Sequence, residues 1–434
     1  MIRPLLLVLV AATFAFGQKN AQITEKLIYE FDPARPVEHF DASPDGSLWF
    51  AVDGFAQVKN MIVSGTRIDQ PFNEIPIASA QMDPSGQYIV WMGLVRNVDL
   101  DGFNMTTTEV YKTYLRQSGI RNDSIGTFTA DYNTLAFSRD GAHWAAMMPR
   151  ANVRQEGLRD VVLLDGKIIS TDRQMPRSFS FGKGTDTWSF RANDDTKEYI
   201  ITKDGEQVLA LHNKNPYAKQ EEPVIRFFAS DNIALGGIVE GFDYNHKFSN
   251  AAALYKTSYR SAHRDSARQY LIFHNKIQKP LRWINNILLD TAGAHIVYFG
   301  ADPQWVPMGD ERKGVVVYDG NVIAGPYAST SLLFMSPSGK HLAWTVKENE
   351  AMKLYYDKKA VAEVGAGIKL IWSHDEKQYA YVTSNQRGKS IVHVAGTESM
   401  PFDRTGRLGF TADGKTLEFV GLRANKLYQV KMKL

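Results

Sequence analysis

Phe40 to Ala51 reads FDASPDGSLWFA: an apolar run, a polar turn ending in glycine, then a second apolar run. The same unit recurs as QMDPSGQYIVW (Gln81 to Trp91), LAFSRDGAHWAA (Leu135 to Ala146), LLDTAGAHIVYF (from Leu288), LFMSPSGKHLAW (from Leu333) and LGFTADGKTLEF (from Leu408). Ser or Pro with Asp starts a turn, and Gly accepts the positive φ that closes it, so each unit predicts a β-hairpin. Weaker copies begin at Phe179, Arg226 and Leu370, which makes nine. Between them falls a second hairpin signal, clearest in VVLLDGKII from Val161, YIITKDGEQVLAL from Tyr199 and VVVYDGNVI from Val315. Two alternating hairpins make a four-stranded unit, and its length of about 46 residues is near the roughly 40–45 of a propeller blade.

The expected fold is therefore all-β: a single closed β-propeller of four-stranded antiparallel blades, about eight in number within a range of seven to nine. The strand-like EKLIYEF from Glu25 and the closing KLYQVKMKL predict that the N-terminal strand completes the blade begun at the C-terminus. That arrangement protects edges that an open row of blades leaves unpaired.

These hallmarks, an apolar strand, SPDG and another apolar strand, resemble the TolB-like and WD40-like propeller repeats of exported bacterial proteins over roughly residues 37–421. The resemblance implies a propeller. It implies no activity, because the hallmark residues build hairpins.

Composition narrows the function. The 434 residues are 44% hydrophobic, enough for a large core, and 50 Lys and Arg against 47 Asp and Glu give a net charge of +3, which does not imply nucleic acid. With no Cys there is no disulfide, thiolate catalysis, Cys-ligated zinc, iron–sulfur cluster or acylated-Cys anchor. Arg3, the apolar stretch Leu5 to Phe16 and the small residues Ala15 and Gly17 predict an export signal over 1–17 and a mature domain over 18–434. No transmembrane segment is expected, and the protein is expected in the periplasm or outside the cell.

Four motifs look like chemistry. GFTADGKT (Gly409 to Thr416) has the spacing of a phosphate loop, but a strand-like LEFVGL follows where a helix is required, so it reads as another hairpin. Asn97, Asp99 and Asp101 alternate before Gly102 as in a calcium loop, the one weak metal candidate; the glutamate comes one position late, and no cofactor other than calcium is suggested. His143, His295 and His341 each follow a hairpin glycine by two residues and belong to separate units, which argues against a shared zinc. Trp49, Trp91, Trp144 and Trp344 recur on the second strand and are expected to pack between blades.

The longest departure from the repeat, taken as an insertion at about 243–270, carries Lys256, Arg260, Arg264 and Arg268 at intervals of four, with Tyr255 and Tyr259 interleaved. As a helix it would form one cationic stripe, the best candidate surface for a protein or peptide partner. The sequence reading is thus an exported non-catalytic binding or scaffolding module of the cell envelope. The alternative is a propeller enzyme of lyase, lactonase or sugar dehydrogenase type, marked by His, Asp and Glu converging on the innermost strands.

Overall fold

The structure, a computed structural model, describes residues 22–434 outside a set of gaps, the longest being 118–122, 129–133, 150–159, 182–187, 212–223, 245–250 and 302–313; side chains over 94–134 and 206–270 are not described. Among the described residues it is all-β, with nine four-stranded antiparallel sheets. In chain order the first spans Val37 to Arg67, the second Gln81 to Phe128, the third Thr134 to Ile169 and the fourth Gln174 to Leu211. The fifth runs from Ile238 to Ile277, the sixth from Trp283 to Tyr327, the seventh from Ser329 to Glu363 and the eighth from Lys369 to Glu398. The last sheet is built from Arg404–Phe410, Thr416–Arg423 and Lys426–Lys433, with Gln22–Glu30 as its fourth strand. Each meanders in the manner of a propeller blade.

The N-terminal strand pairs antiparallel with the C-terminal one, from Gln22 opposite Lys433 to Glu30 opposite Lys426. Glu25 receives both terminal nitrogens of Arg423, at 3.3 and 2.6 Å, and Phe31 N–H donates to the Asn425 carbonyl at 2.9 Å.

Second strands carry unbroken apolar runs, such as Trp49 to Val52 and Ile296 to Phe299, because neighbouring sheets cover both of their faces. Side chains alternate along a strand. Trp49 and Ala51 therefore join Val420, Leu422 and Leu427 of the last sheet, while Phe50 and Val52 join Ile89 and Trp91 of the second. Ile296 and Tyr298 likewise pack with Leu271 and Phe273, and Val297 and Phe299 with Leu342 and Trp344. All four repeat tryptophans are buried. Phe72 and Phe402 add a further link: each forms a backbone bridge to the sheet before it, at Lys59 and Ser390, and lays its ring on a glycine of the sheet after it, Gly93 and Gly421. A Cβ at Gly93 would stand 2.1 Å from the Phe72 ring, so only glycine fits.

The repeated turn is a four-residue loop. Gly46 N–H donates to the Ser43 carbonyl at 2.9 Å and Ser43 N–H to the Leu48 carbonyl at 2.8 Å, with Gly46 at φ 70°. The buried Ser43 hydroxyl accepts the Leu48 N–H at 3.0 Å, and Ser138, Ser336, Ser373 and Thr411 repeat this bond five residues on. Asp83 and Asp290 do the same with a carboxylate. The second hairpin is a two-residue turn with both residues at positive φ, as at Asp319 and Gly320 (47° and 79°).

Two local expectations change. The copy at Arg226 forms a separate two-stranded sheet, Val224–Phe227 with Ser230–Ala234, rather than opening a four-stranded one. The described residues within 243–270 are extended, not helical: Ala251–Thr257 and Arg268–Phe273 are the middle strands of the fifth sheet. Sheet pairing on both sides satisfies their backbones and overrides the helical propensity of the alanines. No helix among the described residues is long and apolar enough to cross a membrane.

Trp344 is fully buried, stacked on Tyr355 with ring centroids 5.7 Å apart. Trp344→Ala is expected to cost about 3–5 kcal/mol in urea denaturation, with cooperative unfolding retained; a midpoint unchanged from wild type would contradict the inter-sheet packing.

Candidate functional site

The histidines that follow the turn glycines are tied within their own sheets. His143 Nδ1 lies 2.5 Å from Asp165 Oδ2, His295 Nδ1 2.7 Å from Asp319 Oδ2, and His341 Nδ1 2.7 Å from Asp357 Oδ2. The other oxygen of each carboxylate accepts the next backbone N–H, from Trp144, Ile296 and Leu342, at 2.9–3.0 Å. Each aspartate sits at positive φ in the two-residue turn, so one side chain joins the two hairpins of its sheet. The sequence contained both members, the histidine after one turn glycine and the aspartate opening the next turn, before Gly166, Gly320 or Lys358, but only the sheet register sets them opposite each other. Other sheets manage without the pair: Leu48 and Ser64 stand there in the first, Gln378 and Ala395 in the eighth.

Where the turns of the seventh and eighth sheets meet, a crevice of about 630 Å³ is lined by Ser338, Lys340, His341, Tyr356, Glu376 and Tyr379, among others. Glu376 takes the turn position that glycine fills elsewhere, at φ 57°. Its carboxylate reaches back to the seventh sheet, accepting from the Ser336 hydroxyl at 2.9 Å, the Ser338 hydroxyl at 2.5 Å and the Ser338 N–H at 2.8 Å. Tyr356 and Tyr379 stack across the same junction at 4.0 Å. The aromatic wall and the carboxylate are thus engaged in joining sheets, and Lys377 is paired with Asp375 at 3.3 Å.

The opposite end is different. First strands of the eighth, last, first and second sheets lie side by side. Arg407 spans three sheets, with Nε 2.9 Å from Asp41 Oδ2, Nη1 donating to the Asp83 carbonyl at 2.5 Å and Nη2 to the Met82 carbonyl. Arg404 Nη1 donates to the Glu38 carbonyl. His39 is half-buried between them; burial holds its pKa below the ordinary value, against a hydrogen bond to the Ala80 backbone and the charge of Asp41, while Arg404 and Lys369 add to the lowering.

The earlier candidates are not brought to either place. Tyr255 and Lys256 lie in the second strand of the fifth sheet, and Arg268 opens its third, opposite Thr257. Arg260 and Ser261 form a small ladder with Arg264 and Asp265, so the chain reverses between the arginines and the four-residue stripe does not exist; Tyr259 lies outside the described residues. Asn97, Asp99 and Asp101 lie along the strand Tyr88–Asp101, paired to Thr108, Thr106 and Asn104. Same-face positions on a strand are about 6.6 Å apart, so this backbone is a ribbon and not the loop that the spacing predicted. Gly409 to Thr416 is a hairpin turn leading into Thr416–Arg423, as expected. Among the described residues no group of three His, Asp or Glu side chains could hold a metal ion.

No family model matches the chain, and no curated protein matches it. It is similar to solved structures that include an oligogalacturonate lyase from Vibrio parahaemolyticus, at TM-score 0.40 and 11% identity over 79% of this chain and 96% of that one. The β-propeller domain of the Trilobed protease from Pyrococcus furiosus follows at TM-score 0.38 and 13% identity, covering 75% and 96%. TolB from Acinetobacter baumannii stands at TM-score 0.29 and 8% identity, covering 79% and 80%. At these scores the likeness adds nothing to the sheet topology, and activity cannot be carried over from a shared fold.

Burial pushes the Glu376 carboxyl up, but the Ser338 hydroxyl and amide, the Ser336 hydroxyl and the charge of His341 hold it below its ordinary 4.5. A carboxylate held low stabilises the fold above its unfolded pKa and loses that contribution as pH falls through the folded value. Glu376→Gln is therefore expected to be less stable than wild type at neutral pH, with the gap closing as pH drops below 4.5. Urea titrations across that range check this; a gap independent of pH would contradict it.

Proposed function

We propose that the chain is an exported, non-catalytic β-propeller that binds or scaffolds a protein or peptide in the cell envelope, its sheets closed into one ring. Closure is supported by the core that joins Trp49 and Ala51 to Val420 and Leu427, and by the N-terminal strand inside the last sheet. The observation that carries the non-catalytic reading is the recurrence of the His–Asp pair. A catalytic dyad serves one centre, whereas this pair recurs at equivalent positions in the third, sixth and seventh sheets, each time bonded to turn backbone. An enzyme with an axial site would bring carboxylates and imidazoles together on the first strands. The first strands whose side chains are described carry Lys369, Arg404 and Arg407 beside Glu38, His39 and Asp41, and both of these carboxylates are tied to cations, Glu38 to Lys59 and Asp41 to Arg407.

Partner binding is assigned to the hairpin tip between Thr257 and Arg268. Strand alternation makes it leave the fifth sheet at the end where that sheet's first strand begins. Connections that project from rigid sheets are where recognition concentrates, and Arg260 and Arg264 on a two-stranded tip offer an acidic peptide a cationic edge.

The mature protein is expected in the periplasmic or extracellular fraction with Gln18 as its first residue, by N-terminal sequencing. Cross-linked pull-downs from envelope extracts should capture a saturable partner that Arg260→Glu/Arg264→Glu loses without a change in melting. Equal capture by that variant would refute the placement, and turnover of a carbohydrate or lactone by the purified chain would refute the non-catalytic reading.

A further inference from the structure

Lys369 and Arg404 are the opening residues of neighbouring first strands, Lys369–Trp372 and Arg404–Phe410. The turns at the other ends of these strands meet: a Cβ on Gly414 would stand 3.6 Å from both Ser373 and Asp375. The two cations therefore begin their strands at the same end of the structure. The first sheet's strand runs in the same sense, because Arg404 reaches the Glu38 carbonyl near its start, while Gly409 abuts Pro44 just past its end. Both cations also act electrostatically on His39 of the first sheet's first strand, in keeping with their place at the same end of these strands.

The carboxylates near this end already have cations. Glu38 is paired with Lys59, Asp41 with Arg407, and Asp403 with Lys389, although Arg404 also acts on Asp403 at longer range. Among the described residues no carboxylate lies within ion-pair distance of Lys369 or Arg404, and both side chains are exposed. A guanidinium has five N–H donors in a rigid fork. One donor of Arg404 is spent on the Glu38 carbonyl, which orients the group and leaves the rest free. Held on neighbouring strands without a carboxylate of their own, these two cations form a positive pair that an anion would neutralise.

We propose that Lys369 and Arg404, backed by Arg407 across the junction of the last and first sheets, bind the oxyanion of a small ligand, a carboxylate or a phosphate. Arg407 is a positioning residue here, since its donors are taken by Asp41 and the Met82 and Asp83 carbonyls. This site stands independently of the partner assigned to the Arg260 tip, at separate residues.

Isothermal titration of the full mature chain with citrate in one arm and pyrophosphate in the other, at matched ionic strength, tests it. Saturable one-to-one binding in either arm, weakening with added salt, is expected, and the arm that binds names the oxyanion. Lys369→Ala and Arg404→Ala should each reduce affinity by at least about tenfold, with melting temperatures near wild type because both side chains are exposed. Arg404→Lys should recover only part of the loss, as it keeps the charge without the fork. Lys340→Ala, in the crevice at the other end, should bind as wild type does. Absence of saturable heat in both arms, or undiminished binding by the Lys369→Ala/Arg404→Ala double variant, overturns the proposal.

Discussion

The structure depends on one ladder between the two ends of the chain. Gln22–Glu30 and Lys426–Lys433 pair over their whole length, and the sheet they share packs against the first sheet through Trp49, Ala51, Val420 and Leu427. Without the N-terminal strand, the strand Lys426–Lys433 would present its unpaired N–H and C=O groups to solvent. Because the strand that covers it comes from the opposite end of the sequence, the last sheet cannot be complete unless the intervening sheets have brought the ends together. Glu25 with Arg423 and Glu30 with Lys426 hold the register at the rim.

Within that frame each sheet is stabilised by what its neighbours cover. The second strands bury both faces, so one such strand serves two cores: Phe50 and Val52 in one direction, Trp49 and Ala51 in the other. Phe72 and Phe402 act between sheets in a second way, bonded by backbone to one and packed by ring on a glycine of the next. Polar groups join sheets too. Glu376 is bonded to the serines of the preceding turn, and Arg407 ties the last, first and second sheets together. These contacts concentrate different chemistry at the two ends. At one, turn carboxylates are satisfied by hydroxyls, amides and imidazoles. At the other, first-strand cations outnumber their partners.

Much of this was legible in the sequence, and the reason is that turn chemistry is local. The serine or aspartate that opens each loop accepts an N–H only five residues later, as Ser43 does from Leu48, and the glycine that closes it carries its positive φ alone. Runs such as Trp49 to Val52 likewise announce a strand buried on both faces, and the hairpin at Gly409 to Thr416 could be told from a phosphate loop by the strand residues after it. The meander of four strands, the inter-sheet tryptophans and the pairing of the chain ends follow from such signals. Over 251–273 the same approach failed, because cations four residues apart suit a helix face equally well, and the strand pairing that decides the matter comes from residues outside the window.

Only the tertiary structure decided which polar groups meet. Arg407 and Asp41 lie 366 residues apart, and Ser338 and Glu376 lie 38 apart on different sheets, so no spacing rule links them. His341 and Asp357 are 16 apart in one sheet, and the register of its second and third strands sets them face to face. Sequence alone determined the hairpins, because each is closed by bonds among neighbouring residues. The juxtaposition of Lys369, Arg404 and His39 required first strands from three sheets to be stacked side by side, which depends on the packing of faces and on the joining of the two chain ends.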